Sequence, residues 1–352
     1  MSAIPTLIIG ASGYVGGELL RLVDAHPTLE LLAAVSDSLS GAPIGETFAH
    51  LGSAYPGHRF HSQQDAIAAI KGCQQLAVFS AAPHGGSAQA IERVVNAAQA
   101  QGTTINVVDA SADFRLTDTD EYERIYGQPH GVPSLLAEFV SAVPEHMAHT
   151  SALHVGHPGC FATAMQLAIV PLLAAGITHN QFFTSGVTGS TGSGKLPTAT
   201  THSPERHSNL FAYKPLAHRH APEVIAHADA ATGIRPALHF VPHSGPFARG
   251  IHMTVHAPLA KTTDSTQLQD MMQAYYANSA FVRVVDGMPR LKNVVASNYA
   301  DIGVACDNDS VVVCVVIDNL LKGAAGGCMQ WMNRLLGQPE TTGLTAPAPA
   351  WT

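Results

Sequence analysis

The stretch that most constrains the fold lies at the start of the chain. There an apolar, partly β-branched run, Thr6 to Ile9, leads into Gly10-Ala-Ser-Gly13-Tyr-Val-Gly16-Gly17 and then into Glu18-Leu-Leu-Arg-Leu-Val-Asp-Ala. The unbroken apolar run reads as a buried strand, the glycines as a turn, and the helical spacing after them as an amphipathic helix. A second strand signal, Leu31 to Val35, closes a βαβ unit, and such a crossover makes its two strands parallel. Further strand signals at Leu76 to Phe79 and Ile105 to Val108 are separated by an alanine-rich helical stretch, Gly86 to Ala100. This alternation predicts a parallel, doubly wound sheet as the first domain, within about 150 residues.

Past His157-Pro158-Gly159 the texture changes. A helix over Phe161 to Ala175 and a Gly/Ser/Thr-rich loop over Ser185 to Lys195 precede strand-like runs at Ala237 to Val241, Gly250 to His256, Phe281 to Val285 and Ser310 to Ile317. These predict an α+β domain whose sheet takes its own helices on one face and another subunit on the other. The last helix, Leu321 to Leu336, is expected to return to the first domain, and the tail after Gly337 reads as an extended arm. The expected division is therefore 1–157 with 321–352, and 158–320.

Composition narrows the partners. With 46% hydrophobic and 12% charged residues the chain has the makings of a packed core, not of a disordered segment. Eighteen Lys plus Arg against twenty-six Asp plus Glu give a net charge of −8, which argues against a nucleic-acid partner. No run approaches the ~20 apolar residues of a membrane span, and the N-terminus lacks the pattern of a secretory signal, so a cytoplasmic protein is expected. Five cysteines without CxxC spacing, and twenty histidines without HExxH, predict neither a disulfide framework nor a metal site.

Chemistry is concentrated in a few places. Gly10, Gly13 and Gly16, between strand and helix, suit backbone N–H groups that meet a pyrophosphate, with Ser12, Tyr14 and Val15 in the same turn. The end of the second strand, Ser36-Asp37-Ser38, fits either NAD, through the acid, or NADP, through the hydroxyls. Cys160 falls after a sharp turn at the start of a helix, where a thiolate is stabilised and N–H donors await an oxyanion. The other four cysteines lie in or near apolar patterns and read as structural. A thiol nucleophile beside a nicotinamide implies acyl transfer followed by hydride transfer to a thioester. His218-Arg219-His220 followed by Ala-Pro-Glu223 offers the acid/base. Arg115, after a parallel strand, and Arg249 are the anion-site candidates, with Lys195 and Arg206 weaker ones.

Seven segments in order, Gly10 to Gly16, Pro83-His84-Gly85, Asp109-Ala-Ser111-Ala-Asp-Phe-Arg115, Pro158-Gly159-Cys160, His218 to Glu223, Arg249-Gly250-Ile251 and Asp318-Asn319-Leu-Leu-Lys-Gly323, resemble the N-acetyl-γ-glutamyl-phosphate reductases of the aspartate-semialdehyde dehydrogenase superfamily. The resemblance implies a Rossmann-type domain plus an α+β catalytic and dimerisation domain, NADP as cofactor, and a small acyl phosphate with inorganic phosphate as the other reactants. It implies Cys160 as nucleophile and His218 or His220 as proton carrier, His218 being favoured. Pro83 and Asn319 are expected at the cofactor, and Ser111, Arg115, Arg219, Glu223 and Arg249 at the substrate. A homo-oligomer is expected through the second domain's sheet. The stretch from Ser190 to His207 is closer to the related reductases of lysine biosynthesis that act on carrier-linked acyl phosphates. A non-catalytic nicotinamide-binding redox sensor and an alcohol dehydrogenase with a structural Cys160 are the alternatives from other classes.

Overall fold

The computed structural model describes residues 3–349, which divide into two compact units. The first takes the chain up to Pro144, then His149–His157 and Ala324–Thr345; the second takes Glu145–Ala148 and Pro158–Gly323, with residues 346–349. In chain order the elements are β1 (Ile4–Ile9), α1 (Tyr14–Asp24), β2 (Leu29–Val35), α2 (Ile44–Thr47), α3 (Gln63–Ala69), β3 (Gln75–Ser80), α4 (Ser87–Gln99), β4 (Thr104–Asp109), α5 (Thr119–Tyr126), β5 (Phe139–Val140) and β6 (His154–Gly156). Then follow α6 (Cys160–Ala175), β7 (Gln181–Thr188), α7 (Ser203–Arg206), β8 (Phe211–Ala212), α8 (His220–Thr232), β9 (Ala237–Ser244), β10 (Ile251–Pro258), α9 (Ser265–Tyr275), β11 (Val282–Val284), β12 (Ala300–Cys306), β13 (Ser310–Ile317) and α10 (Gly326–Leu335).

In the first unit the strands form one sheet in the order β2-β1-β3-β4-β6-β5, every pairing parallel. Strands that carry helices on both faces are buried on both, which is why Leu7, Ile8, Leu76, Val78, Val107 and Val108 are fully buried. The order reverses between β1 and β3, so the loops that follow them diverge and leave a crevice at the carboxyl edge. The segment after Gly337 is not an extended arm. Asn333 Nδ2 donates to the carbonyls of Glu340 (3.2 Å) and Thr342 (2.9 Å), and Arg334 Nε to Glu340 Oε2 (2.8 Å), folding it onto α10. Residues 350–352 of that predicted arm lie outside the described residues.

The second unit is a seven-stranded mixed sheet in the order β11-β12-β13-β10-β7-β9-β8. Its inner face packs on α6, a helix without a charged residue and buried almost throughout. Thr184 Oγ1 on β7 contacts Met165 Sδ of α6. Pro171 sits inside α6; it has no N–H to give Leu167, four residues earlier. The Tyr276 hydroxyl donates to that carbonyl instead, at 2.7 Å.

Four elements depart from the sequence expectation. Residues 185–188, read as loop, end β7, because Ser, Gly and Thr are held there between β9 and β10. Ala300–Cys306, without a strong sequence signal, is the strand β12. The segment after His218, given no element from sequence, opens α8 at His220, with Arg219 at its N-cap. The expected last helix starts as a π-helical turn over Leu321–Ala325 before continuing as α10.

Candidate active site

In the first unit the glycine turn is built by steric necessity at Gly10. Its φ is +72°, and a Cβ there would meet the Ala81 carbonyl oxygen, in the loop after β3, at 2.5 Å. Gly13 differs. A Cβ there would find only Gly10 O, at 3.7 Å, so packing within the protein does not require its bare backbone. Gly13 is the N-cap of α1, which has no side-chain cap and no acidic residue in its first turn. The leading N–H groups of a helix lack internal partners and carry its positive dipole end, so this turn is a cradle for an anion. Tyr14 and Val15 are the first helical residues, and Gly16 packs on Ala11.

At the end of β2 three hydroxyls line up. Ser12 Oγ is 2.9 Å from Ser36 Oγ, which is 3.4 Å from Ser38 Oγ. Asp37 is turned elsewhere: its Oδ1 accepts the N–H of Gln63 at 2.8 Å, at the start of α3. The acid is thus occupied and the hydroxyls remain.

The loops after β3 and β4 are fastened together. Asp113 accepts N–H groups from Gly85 (2.7 Å) and Ala88 (3.0 Å) and the Tyr122 hydroxyl (3.0 Å), and so caps α4 and fixes the loop that carries Pro83. Ser111, expected at substrate, donates to Asp109 Oδ2 at 2.5 Å and is buried. Burial pushes Asp109 up to about 6 against the lowering effect of its Ser111 and Ser87 hydrogen bonds. Arg115, also expected at substrate, donates from Nε to His157 O (2.8 Å) and from Nη2 to Ala110 O (2.7 Å). These bonds give it a place in holding the loops.

In the second unit Cys160 is the first residue of α6, half-buried, after the N-cap Gly159. No side chain caps this helix and no acid stands in its first turn. Three neighbours press on it. A Cβ on Gly323, in the π-helical turn, would come within 2.7 Å of Cys160 Cβ, and one on Gly159 would lie 2.2 Å from His220 Nε2. Burial, and after it the charge of Cys160, raise the Tyr213 hydroxyl above its ordinary range.

The two histidines separate into different environments. His218 is boxed edge-on by Phe161, Tyr213 and Phe240, at ring distances of 5.6, 5.7 and 5.4 Å. Its Nδ1 accepts the His220 N–H at 3.2 Å. Burial, then Arg219 and Lys214, push it down to about 4. A ring held neutral through the physiological range and fixed by its aromatic walls suits a support. His220 is the histidine whose Nε2 lies against the Gly159 backbone.

Glu223 is buried, and its Oε2 accepts the Gly159 N–H at 2.8 Å, one turn of α8 beyond His220. It therefore sets the turn that presents Cys160. Arg249, predicted at substrate, forms a two-pronged pair with Asp318, Nε to Oδ2 and Nη2 to Oδ1, both 3.0 Å. Asp318 also accepts the N–H groups of Ala296 (2.7 Å), Leu320 and Leu321 (both 2.8 Å), which bend the chain into the π-helical turn. Asn319, predicted at cofactor, accepts Gly250 N–H at 2.6 Å and donates to Thr191 Oγ1 at 3.0 Å. Arg206 is buried against Ser244 and Gly245. Asp113, Tyr213, Asp318 and Gly323 were not singled out from sequence; only their places inside the recurrent segments, and for Tyr213 not even that, could have marked them.

Among the described residues no group of three or more His, Cys, Asp or Glu is arranged to hold a metal ion, and no helix is long and apolar enough to cross a membrane.

Residues 6–152 match the model of the semialdehyde dehydrogenase NAD binding domain, and residues 160–319 that of the semialdehyde dehydrogenase dimerisation domain. The chain is similar in fold to the aspartate semialdehyde dehydrogenase II of Vibrio cholerae, with a TM-score of 0.70 at 15% identity over 96% of this chain and 99% of that one. It is also similar to the Candida albicans aspartate semialdehyde dehydrogenase solved with NADP, with a TM-score of 0.67 at 14% identity over 95% and 98%. The chain belongs to the semialdehyde dehydrogenase family. Relatives that it matches over nearly its full length include N-acetyl-gamma-glutamyl-phosphate reductases. That of Methanosarcina acetivorans is 39% identical over 97% of this chain and 98% of its own, and that of Azotobacter vinelandii 38% over 97% and 98%.

Proposed function

We propose that the protein reduces N-acetyl-γ-glutamyl phosphate to N-acetylglutamate 5-semialdehyde and inorganic phosphate with NADPH, through a thioester on Cys160, as a step of arginine biosynthesis. One observation carries this reading: Cys160 begins an uncapped helix, with His220 Nε2 against the Gly159 backbone just before it. A helix end of that kind stabilises the thiolate and offers N–H donors to the oxygen of a tetrahedral intermediate.

His220 takes the thiol proton, and the sulfur attacks the γ-carbonyl carbon. The C–S bond forms, the bond from carbon to the phosphate oxygen breaks, and the phosphate leaves with its electron pair and the proton carried by His220. NADPH, when bound, supplies the hydride that the thioester carbon accepts. The N–H groups at the head of α6 hold the resulting oxyanion until the C–S bond breaks, releasing aldehyde and thiolate. Glu223 keeps Gly159 in place throughout, and His218 stays neutral behind His220.

Nucleotide binding falls to the first unit in this reading. The cradle left open at Gly13 fits the pyrophosphate, and Ser12, Ser36 and Ser38 fit a 2′-phosphate while Asp37 is held by Gln63. That arrangement supports NADP over NAD. A homo-oligomer joined through the second unit's sheet belongs to the same reading, supported by the dimerisation-domain match over residues 160–319.

The test is the reverse reaction, oxidation of N-acetylglutamate semialdehyde, run with NADP and NAD side by side. Turnover is expected only with inorganic phosphate and to favour NADP. Phosphate-independent turnover, or turnover in Cys160→Ser, overturns the proposal.

A further inference from the structure

The sheet of the second unit has a second face, turned away from α6. On β7 the burial alternates strictly, with Phe182, Thr184 and Gly186 inward and Gln181, Phe183 and Ser185 exposed. Register carries that alternation across four strands. One row runs His239, Phe183, His256, Val312; the next Val241, Ser185, Thr254, Cys314; the third His243, Val187, His252, Val316. Large apolar residues and histidines on β7, β9 and β10 thus share one outward surface, with Phe183 45% exposed, while Cys314 and Val316 at its β13 end are buried within the chain.

The ionisable content of this surface is unusual. The strands β7, β9, β10 and β13 contain no Asp, Glu, Lys or Arg. Their titratable side chains are His239, His243, His252, His256 and the thiol of Cys314, which lies 3.9 Å from Thr254 Oγ1. His239 and His243 contact neutral groups: His239 stacks on Phe183 at 5.0 Å and meets Gln181 at 3.5 Å, and His243 Nδ1 lies 3.4 Å from Ser185 Oγ. Charged groups enter from the flank. Asp301 of β12 continues the His252 row and is paired with Arg283 of β11 at 2.6 Å. Asp286 and Arg290 flank the turn that packs on Gly303, and Asp286 accepts from Gln269. None of these acids lies on the four central strands.

We infer that a second copy of the chain sits on this face and that its four histidines make the pairing sensitive to protons, tight at pH 8 and loosened by acid. The occupant follows from the dimerisation-domain match, which spans all four strands, and from chemistry. A face neutral at pH 8 and mixed in apolar and hydroxyl groups can be laid on itself without burying a charge. Each imidazole that takes up a proton in acid adds a positive charge to this face, up to four per copy, and a two-fold pair would bury eight with few acids to meet them. The separated copies hydrate those charges, so they bind protons more tightly than the pair, and pairing weakens as pH falls. Burial of His252 already lowers its affinity for a proton. The inference rests on the homo-oligomer part of the proposed function.

The experiment is sedimentation of the full chain over a range of concentrations at pH 8.0 and pH 5.5, with circular dichroism at each pH. The pair is expected to dissociate at least about 100-fold more readily at the lower pH. A variant with His239→Gln, His243→Gln, His252→Gln and His256→Gln is expected to pair at both. Because that variant keeps the buried His218, it separates loss of pairing from acid unfolding. His239→Gln with His256→Gln, altering one row, is expected to lose about half of the pH dependence on a logarithmic scale. Phe183→Asp is expected to be monomeric at pH 8. If Phe183→Asp pairs as tightly as the natural chain, or the natural chain is monomeric at pH 8, the face is not the interface and the inference falls with the oligomer reading. If Phe183→Asp is monomeric but natural pairing ignores pH, or the fourfold variant keeps its pH dependence, only the proton sensitivity falls.

Discussion

The starts of α3, α4, α5 and α9 contrast with those of α1 and α6. Asp118 caps α5 by accepting from the N–H groups of Asp120 (2.8 Å) and Glu121 (3.1 Å), and Asp264 caps α9 in a reciprocal box with Gln267. For α3, Ser62 accepts from Asp65 N–H while Asp37 arrives from a distant loop; for α4, Asp113 does the same. Helices α1 and α6 begin instead at Gly13 and Gly159, with no side-chain cap and no acid in the first turn. A cap satisfies the leading N–H groups and stabilises a helix by about 1 kcal/mol. Where a side-chain cap is absent, those donors can be met by backbone, water or a ligand. Helices α2, α7, α8 and α10 also start without a side-chain cap, but the starts at Gly13 and Gly159 are the ones that coincide with the proposed pyrophosphate cradle and the proposed nucleophile.

The comparison is broken most directly at α6. Cys160→Ala should lower reductive turnover by at least about 10⁴-fold, since the thioester cannot form, while leaving NADPH affinity within about twofold. Rapid-quench mass spectrometry should find the acyl adduct on the natural chain and not on the variant. A variant that turns over at a tenth of the natural rate would make α6 an ordinary helix whose missing cap means nothing.

The histidines at the head of α8 give the next effect. His218 is pushed down to about 4 by burial and by Arg219 and Lys214, whereas the unfolded chain titrates it near 6.5. The folded state therefore prefers the neutral ring. Its stability is complete above about pH 7.5, declines as the pH falls through 6.5, and levels off below about 4, a loss of about 3 kcal/mol in all. His218→Phe removes the titrating ring and should flatten that part of the urea-unfolding profile between pH 7.5 and 4.5. An unchanged difference between the two pH values would show that His218 is protonated without strain.

At α1 the comparison can be sharpened by adding what is missing. Gly13 has φ −82° and ψ 175°, an extended backbone that aspartate adopts readily, and a Cβ there meets nothing closer than 3.7 Å. Gly13→Asp should raise the thermal stability of the free protein slightly, by about 0.5 kcal/mol, while weakening NADPH at least about 100-fold, because the new carboxylate takes the phosphate's place. Calorimetry with and without NADPH reads both. If affinity is unchanged, the nucleotide does not use this turn.

What the sequence disclosed, and what it hid, follows the range of the interactions involved. The βαβ start, the run of β13 and the position of Cys160 at the head of an apolar helix were legible, because local periodicity and one turn define them. The strand character of residues 185–188 was not, since Ser, Gly and Thr become strand only between β9 and β10. Roles that depend on partners distant in sequence were hidden too. That Arg249 pairs with Asp318, 69 residues later, could not be read from the sequence. Nor could the main-chain partners of Asn319 and Arg115, Gly250 N–H and His157 O. His218 and His220 are indistinguishable as letters, and only the aromatic walls around one of them tell them apart.

The smallest effect tests the other side of the comparison. If caps on the remaining helices serve only folding, Asp118→Ala should cost about 1 kcal/mol of stability and leave the kinetics alone. Asp118 is exposed at the start of an eight-residue helix, so the loss comes from two N–H groups that revert to water and from the helix dipole it complements. Urea unfolding should show a lower midpoint with an unchanged slope, and kcat and KM for NADPH and the acyl phosphate should stay within about twofold. A fall in kcat larger than the fall in folded fraction would place α5 in the catalytic machinery, and the division between capped and uncapped helices would no longer separate structure from chemistry.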